Sequence, residues 1–360
     1  MINNNKAWKS IRILLLAVLL LLPGKTWANA SKAEGEGIDM TALILGHISD
    51  SYEWHFWGEG ENAVAIPLPI LVYSKERSEW FFFSFSHLEE AEHTGETYQG
   101  FKLAEEGDNA GKVVEYCSST GTWERPLDLS LTKNAIGLFI NSAILICIVL
   151  MCANWYKRKE AYDKAPRGFV GLMEMMISMV YYDIIKANIP QHVQRYSSYL
   201  LCAFFFIFLT NLIGLIPGSA NITGNIAVTF VLAACTFLFV NLGGNKEYWK
   251  EIFWADVPGW LKPIMAVIEF FGIFTKPVAL MIRLFANIMA GHAALLALVG
   301  VIFITAKIGP AINGIMTPLS VIFAIFLDCL ECLVAFIQAY VFTMLSAVFI
   351  GLSVPKHHHA

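Results

Sequence analysis

From residue 135 onward the apolar positions come in long runs, without the short alternation of a soluble domain. The run at 135–153 ends in Lys157-Arg158-Lys159, with Lys164 and Arg167 close behind. Runs at 197–216 and 222–242 are joined by an uncharged turn, Pro217-Gly218-Ser219-Ala220-Asn221. About 20 consecutive apolar residues are needed to cross a hydrocarbon core as a helix, so each run reads as a span. Residues 166–188 instead alternate apolar and polar positions at helical spacing, with Glu174, Asp183 and Lys186 among them. That stretch is too polar to span and predicts an interfacial helix or a lateral buttress. Two longer runs, 264–305 and 313–353, close the pattern. As helices each would be roughly 60 Å long against a core of ~30 Å. They must tilt hard, bend at Gly272, Pro277, Gly291 or Pro318, or break. The short interruption around 307–312 makes them a hairpin.

The front of the chain has another texture. Lys6, Lys9 and Arg12 precede an apolar run at 13–22, Pro23-Gly24 breaks it, and Ala28-Asn29-Ala30 offers small residues for cleavage. Residues 1–30 thus have the layout of a secretory signal. An uncut first membrane helix is the other reading, and the shortness of the run favours cleavage. Residues 50–57 are aromatic and acidic, 63–73 and 79–86 have the composition of short strands, and the Glu/Gly-rich stretch 87–111 reads as loop. The expected fold class is therefore an all-α polytopic membrane protein of about five membrane helices, two of them long, tilted and paired, behind a small β-rich extracytoplasmic cap. The expected divisions are 1–30 signal, 31–130 acidic cap, 131–355 membrane domain and 356–360 tail.

Composition narrows the class. Of 360 residues, 56% are hydrophobic and 15% are charged, where a soluble domain carries about 25% charged residues. A soluble enzyme, a disordered chain, a collagen and a coiled coil are excluded. The formal net charge of -4, with no basic block, leaves no nucleic-acid binder. That total conceals an asymmetry: residues 31–130 carry six Lys/Arg against nineteen Asp/Glu, and residues 131–360 carry fifteen against ten. The basic cluster after residue 156 places that end in the cytoplasm, in agreement with an exported N-terminus. Lys246, Glu247, Lys250, Glu251 and Lys262 mark a second cytoplasmic loop, and five crossings leave the C-terminus inside. The expected location is a membrane that the chain crosses several times.

Several chemistries are missing. Only Cys117 lies in the cap, so no disulfide framework forms there, and Cys329 and Cys332 lack the further ligands of a metal site. The tail His357-His358-His359 reads as solvated. No cofactor or metal is expected, and no GxxxxGK[ST], HExxH or GxSxG motif is present, so neither nucleotide binding nor hydrolysis is assigned to this chain.

The hairpin nevertheless carries Glu269, Lys276, Arg283, His292, Asp328 and Glu331, plus Asn287 and Gln338. An ionisable group at mid-membrane costs ~2.5–3.5 kcal/mol even on the insertion scale, so such groups should face water or a protein partner. Glu269, Lys276 and Arg283 recur every seven residues and make one slowly drifting stripe, which Asn287 joins at i+4. His292 lies about half a turn out of phase. Glu331 and Gln338 share a face, with Asp328 one turn before. Two polar surfaces follow, one centred on Arg283 and one where His292 approaches Glu331. Glu269, Lys276 and Lys307 also suit snorkelling near helix ends, and Asp328 suits a packing role. Arg283 has no charged neighbour within six residues, and an intramembrane charge so placed points to function.

The segment Arg283-Leu284-Phe285-Ala286-Asn287-Ile288-Met289-Ala290-Gly291 resembles subunit a of the membrane sector (Fo) of the rotary ATP synthase. So do Glu269-Phe270-Phe271-Gly272-Ile273-Phe274-Thr275-Lys276-Pro277, Thr210-Asn211-Leu212-Ile213-Gly214-Leu215-Ile216-Pro217 and Gln338-Ala339-Tyr340-Val341-Phe342. The resemblance covers roughly residues 130–353. It implies two long helices cupping a rotating c-subunit ring, with Arg283 as the essential arginine and Asn287 and Gln338 close to the proton path. Two further polar positions match His292 and Glu331, where many bacterial members carry Glu first and His second. Here they are exchanged, which keeps an acid–imidazole pair. The implied partners are the c ring, the b-subunit peripheral stalk, the remaining ATP synthase subunits, the lipid bilayer and protons. The implied role is a non-catalytic stator with two offset aqueous half-channels. A cation-coupled secondary transporter also places charges at midplane, but that class shows internal repeats, and none is found. The acidic cap exceeds the family's usual length; it reads either as a solvated aid to assembly or as a funnel for cations.

Overall fold

The computed structural model describes residues 50–57, 64–94, 96–104, 109, 111–118, 121–157, 166–216, 219–254 and 258–354. The signal segment, Arg158, Lys159 and Lys164, Pro217-Gly218 and the histidine tail lie outside these residues.

The cap is built from short antiparallel strands. Strand β1 (Glu53–Trp57) pairs with β2 (Val64–Pro67), and β3 (Pro69–Ser74) lies between β4 (Glu79–Ser84) and β8 (Leu127–Asp128). Strand β6 (Val113–Cys117) lies between β5 (Phe101–Leu103) and β7 (Thr122–Glu124). The period-two alternation of β3 sends Ile70, Val72 and Ser74 inward, all fully buried. Ile70 and Val72 join Tyr52, Phe83, Phe85, Leu88, Phe101 and Val113 in one core. Ser74 and Arg77 both donate to Glu115 Oε1, at 2.6 Å and 3.1 Å, so the buried carboxylate is satisfied.

The reading of 87–111 as loop is corrected. Helix α1 occupies Phe85–Thr94, because Glu and Ala are good helix formers and Leu88 docks fully buried in the core. Gln99 (φ 52) and Gly100 (φ 83) then turn the chain into a tight reversal bridging Tyr98 to Phe101. Positive φ at both central positions is what such a turn demands, and glycine supplies it without steric cost.

The cap joins the first long helix directly. Helix α2 runs Lys133–Lys157; the Lys133 and Asn134 amides donate to Ser51 O at 3.0 Å and Asp50 Oδ1 at 3.1 Å. Two of the helix's orphan N-terminal donors are thereby satisfied by the cap. Helix α3 (Phe169–Met179) continues into a π-helical segment, Val180–Lys186. Its buried side carries Met173, Met176, Val180, Ile184 and Ile185, with the π segment against α4 (Val193–Gly214) and α8 (Pro310–Ser353). The buttress alternative is therefore the one that describes residues 166–188.

Among the described residues, four helices are long and apolar enough to cross a membrane: α2, α4, α7 (Lys262–Ile308) and α8. The expected span at 222–242 is shorter, α5 at Ile226–Leu242 with 17 residues. Its first positions are used by a turn in which Asn221 Oδ1 accepts from the Gly224 amide, and Asn225 then caps the helix through Ala227 N. A short polar helix, α6 (Lys246–Phe253), precedes the hairpin. Helices α7 and α8, of 47 and 44 residues, are unbroken despite Pro277 and Pro318, so breaking is eliminated as the way they fit. Only Gly309 separates them. The turn is stapled by Asn313 Oδ1, which accepts from Thr305 Oγ1 at 3.1 Å and Thr317 Oγ1 at 2.9 Å. Ala335, Ala339, Thr343, Ser346 and Ala347 are buried along α8; small residues of this kind let helices approach closely.

Candidate functional site: a buried acid–imidazole pair behind an exposed arginine

The hairpin's antiparallel register decides which polar groups meet. His292 on α7 stands level with Glu331 on α8, with Nδ1 3.9 Å from Oε1. Lys276, farther from the turn, stands level with Phe349 and lies 5.6 Å from its ring. The same register brings Gln338 level with the stretch between Arg283 and Asn287.

Glu331 is 6% exposed, and neither carboxylate oxygen has a hydrogen-bond partner among the described residues. A buried carboxyl without donors is costly, so this position is held by the packing around it. Gly291 makes the room: a Cβ there would collide with Oε1 of Glu331 and lie 2.8 Å from its Cδ. Any larger residue displaces the carboxyl. From Glu331 a groove of about 260 Å³ opens toward Asn287, walled by Leu327, Leu330 and Val334. It leads from the buried acid to the face that Asn287 shares with Arg283.

Arg283 points outward. Leu280, Leu284 and Ile288 bury a stripe about a quarter-turn round α7, leaving Arg283 exposed beside Ile282, and it forms no ion pair with another described residue. A guanidinium on a bare apolar face needs an acid from outside the chain to offset its desolvation. Asp328 is exposed one turn nearer the hairpin tip than Glu331, and Gln338 is half-buried.

Two polar clusters were not assigned as such from the sequence. Near the α4–α5 turn, Asn141 Nδ2 donates to Thr210 Oγ1, and Thr223 Oγ1 donates to Asn211 Oδ1 at 2.8 Å. Asn141 Oδ1 and Asn211 Nδ2 are buried without a hydrogen-bond partner among the described residues. Gly214, one turn beyond Asn211, faces His292, whose Nε2 would lie 4.0 Å from a Cβ there. The polar cluster at this turn therefore lies near the imidazole, with Gly214 between them. Its legible signal was two lone carboxamides in apolar runs. At the other end Lys276, Thr236, Asn241 and Tyr248 line a cavity of about 20 Å³, enough for one water. Burial first, then the charge of Glu269, pushes the Tyr248 phenol above its ordinary value. Glu269 and Lys276 thus belong to this end and not to the His292–Glu331 pair. Among the described residues no three His, Cys, Asp or Glu side chains are grouped to hold a metal.

Residues 138–351 match the family model described as ATP synthase A chain, and residues 43–129 match a domain of unknown function (DUF8433). The chain is 43% identical over 236 residues to the ATP synthase subunit a of Chloroherpeton thalassium, covering 64% of this chain and 69% of the relative. It is 38% identical over 265 residues to that of Myxococcus xanthus, covering 72% and 81%.

Proposed function

Because the chain belongs to the ATP synthase A chain family, a multi-pass membrane family of the proton-translocating Fo sector, we propose that it forms two offset aqueous half-channels against a c-subunit ring. Arg283 stands between them. The observation that carries this reading is the buried His292–Glu331 pair with a groove leading from it to the Arg283 face.

Each step follows from the charges. A proton entering past Asn141, Thr210 and Asn211 reaches His292 and Glu331. Imidazole changes charge near neutral pH and a carboxyl can hold or release the same proton, so the pair hands it through the groove past Asn287. The acceptor is a carboxylate on the ring. Once protonated it is neutral and can move through lipid; when it returns, Arg283 favours its ionised form and the proton leaves by the second path. Arginine cannot deprotonate in a protein, so it never relays a proton and blocks a direct leak. Each charge crossing yields about 2.3 kcal/mol per 100 mV, so several protons are needed per ATP. The cap lies outside the cytoplasm and the C-terminus inside; b subunits hold the chain against rotation.

Reconstitution tests this. Vesicles holding the Fo sector without its nucleotide-binding head should take up protons under a potassium diffusion potential, and vesicles assembled without this chain should not. Equal uptake in both would refute the reading. Gly291→Val has a smaller expected effect. Overpacking costs about 1–3 kcal/mol, here by moving Glu331 away from His292, so uptake should fall about tenfold with assembly intact.

A further inference from the structure

The cap's central sheet is apolar on both faces, and only one is covered. Ile70 and Val72 of β3 and Phe83 of β4 point into the cap core. The opposite face is set by register: Tyr73 pairs with Trp80 and Leu127, and Leu71 with Phe82. Backbone pairing continues past β8, since Leu129 N donates to Leu71 O at 2.9 Å and Leu131 N to Pro69 O at 3.3 Å. Directly paired residues share a face, so Leu127, Leu129 and Leu131 lie beside Leu71, Trp80 and Phe82. This face is bare: Phe82 is 75% exposed, Leu129 57% and Trp80 54%. An antiparallel sheet with a solvated face alternates apolar and polar residues. Here the outward set is as apolar as the inward one, so water is not its partner.

Position decides what is. Leu131 is two residues before Lys133, the first residue of a membrane-crossing helix, and the Ser51 and Asp50 contacts tie the cap to that helix end. The bare face thereby ends two residues short of α2, whose Phe139 and Ile140 are exposed. Tryptophan and tyrosine suit the membrane–water interface, with an apolar body and a polar tip. We propose that this sheet face is a membrane-surface anchor, seated on the lipid of the bilayer leaflet that α2 enters, and that it fixes the cap to the bilayer independently of the transmembrane helices.

The test uses the whole ATP synthase reconstituted in phosphatidylcholine–phosphatidylglycerol vesicles doped with a phospholipid bearing a photoactivated carbene precursor high on its acyl chain. After illumination and digestion, lipid adducts are expected on the peptides carrying Trp80–Phe82 and Leu127–Leu131 as well as on the helices. In the variant Phe82→Glu/Leu129→Glu, which leaves the cap core untouched, adducts on both strand peptides should be lost while those on α2 persist. The proposal is overturned by helix adducts with bare strand peptides, the result expected if another subunit or a second copy covers this face, or by strand adducts that survive the double substitution.

Discussion

Arg283→Ala is expected to abolish ATP-driven proton pumping in vesicles while the assembled complex still hydrolyses ATP. The side chain is exposed on an apolar helix face and forms no ion pair with another described residue. Its charge is therefore available to a carboxylate arriving from outside the chain. In the proposed mechanism its removal would leave a ring carboxyl no fixed cation to favour its ionised form and would open a direct route between the half-channels. Removal of one preorganised electrostatic group costs about 100-fold or more. Arg283→Lys should be severely impaired as well. Lysine is a flexible point charge whose proton can be lost on burial, and it cannot present a planar fork to a passing carboxylate. Pumping at the normal rate by Arg283→Ala vesicles would end the case for this residue.

The second large effect concerns the pair behind it. Glu331→His leaves two imidazoles and His292→Glu leaves two carboxylates, and in either case like groups share a buried site. Each single substitution should reduce proton flux about 100-fold, the lower range for losing a positioned acid–base group. The double exchange restores one acid and one imidazole 3.9 Å apart in the present geometry. Flux in the double variant should then recover to within about threefold of the starting protein, which is a coupling larger than independent sites show. The comparison is made by acidification of vesicles under an imposed potential. A double variant no better than its parents would mean that the two residues do not act together.

Much of this site was legible because the bilayer makes charge conspicuous. Arg283 stands in the middle of an apolar run, and a periodicity of 3.6 residues puts Asn287 on its face without any knowledge of neighbours. The out-of-phase direction of His292 was equally readable. The loop reading of 87–111 went wrong where local composition was ambiguous. Glu-rich residues form a helix at Phe85–Thr94 because Leu88 has a core to enter, and that core is made of strands remote in sequence. Gly291 was readable only as a place to bend. Its use as space for a carboxyl 40 residues away follows from the hairpin register.

The sequence alone determined which segments leave water, since transfer of each apolar run into lipid depends on its own side chains. It likewise determined that few charges enter with them, and which helix face each occupies. Tertiary structure decided which faces meet. A contact between residues 292 and 331 depends on how two rods are set side by side, and one residue at the turn changes that register along their whole length. It also decided that the cap's sheet covers only one of its two apolar faces, because burial belongs to pairs of surfaces and no strand carries its partner in its own composition.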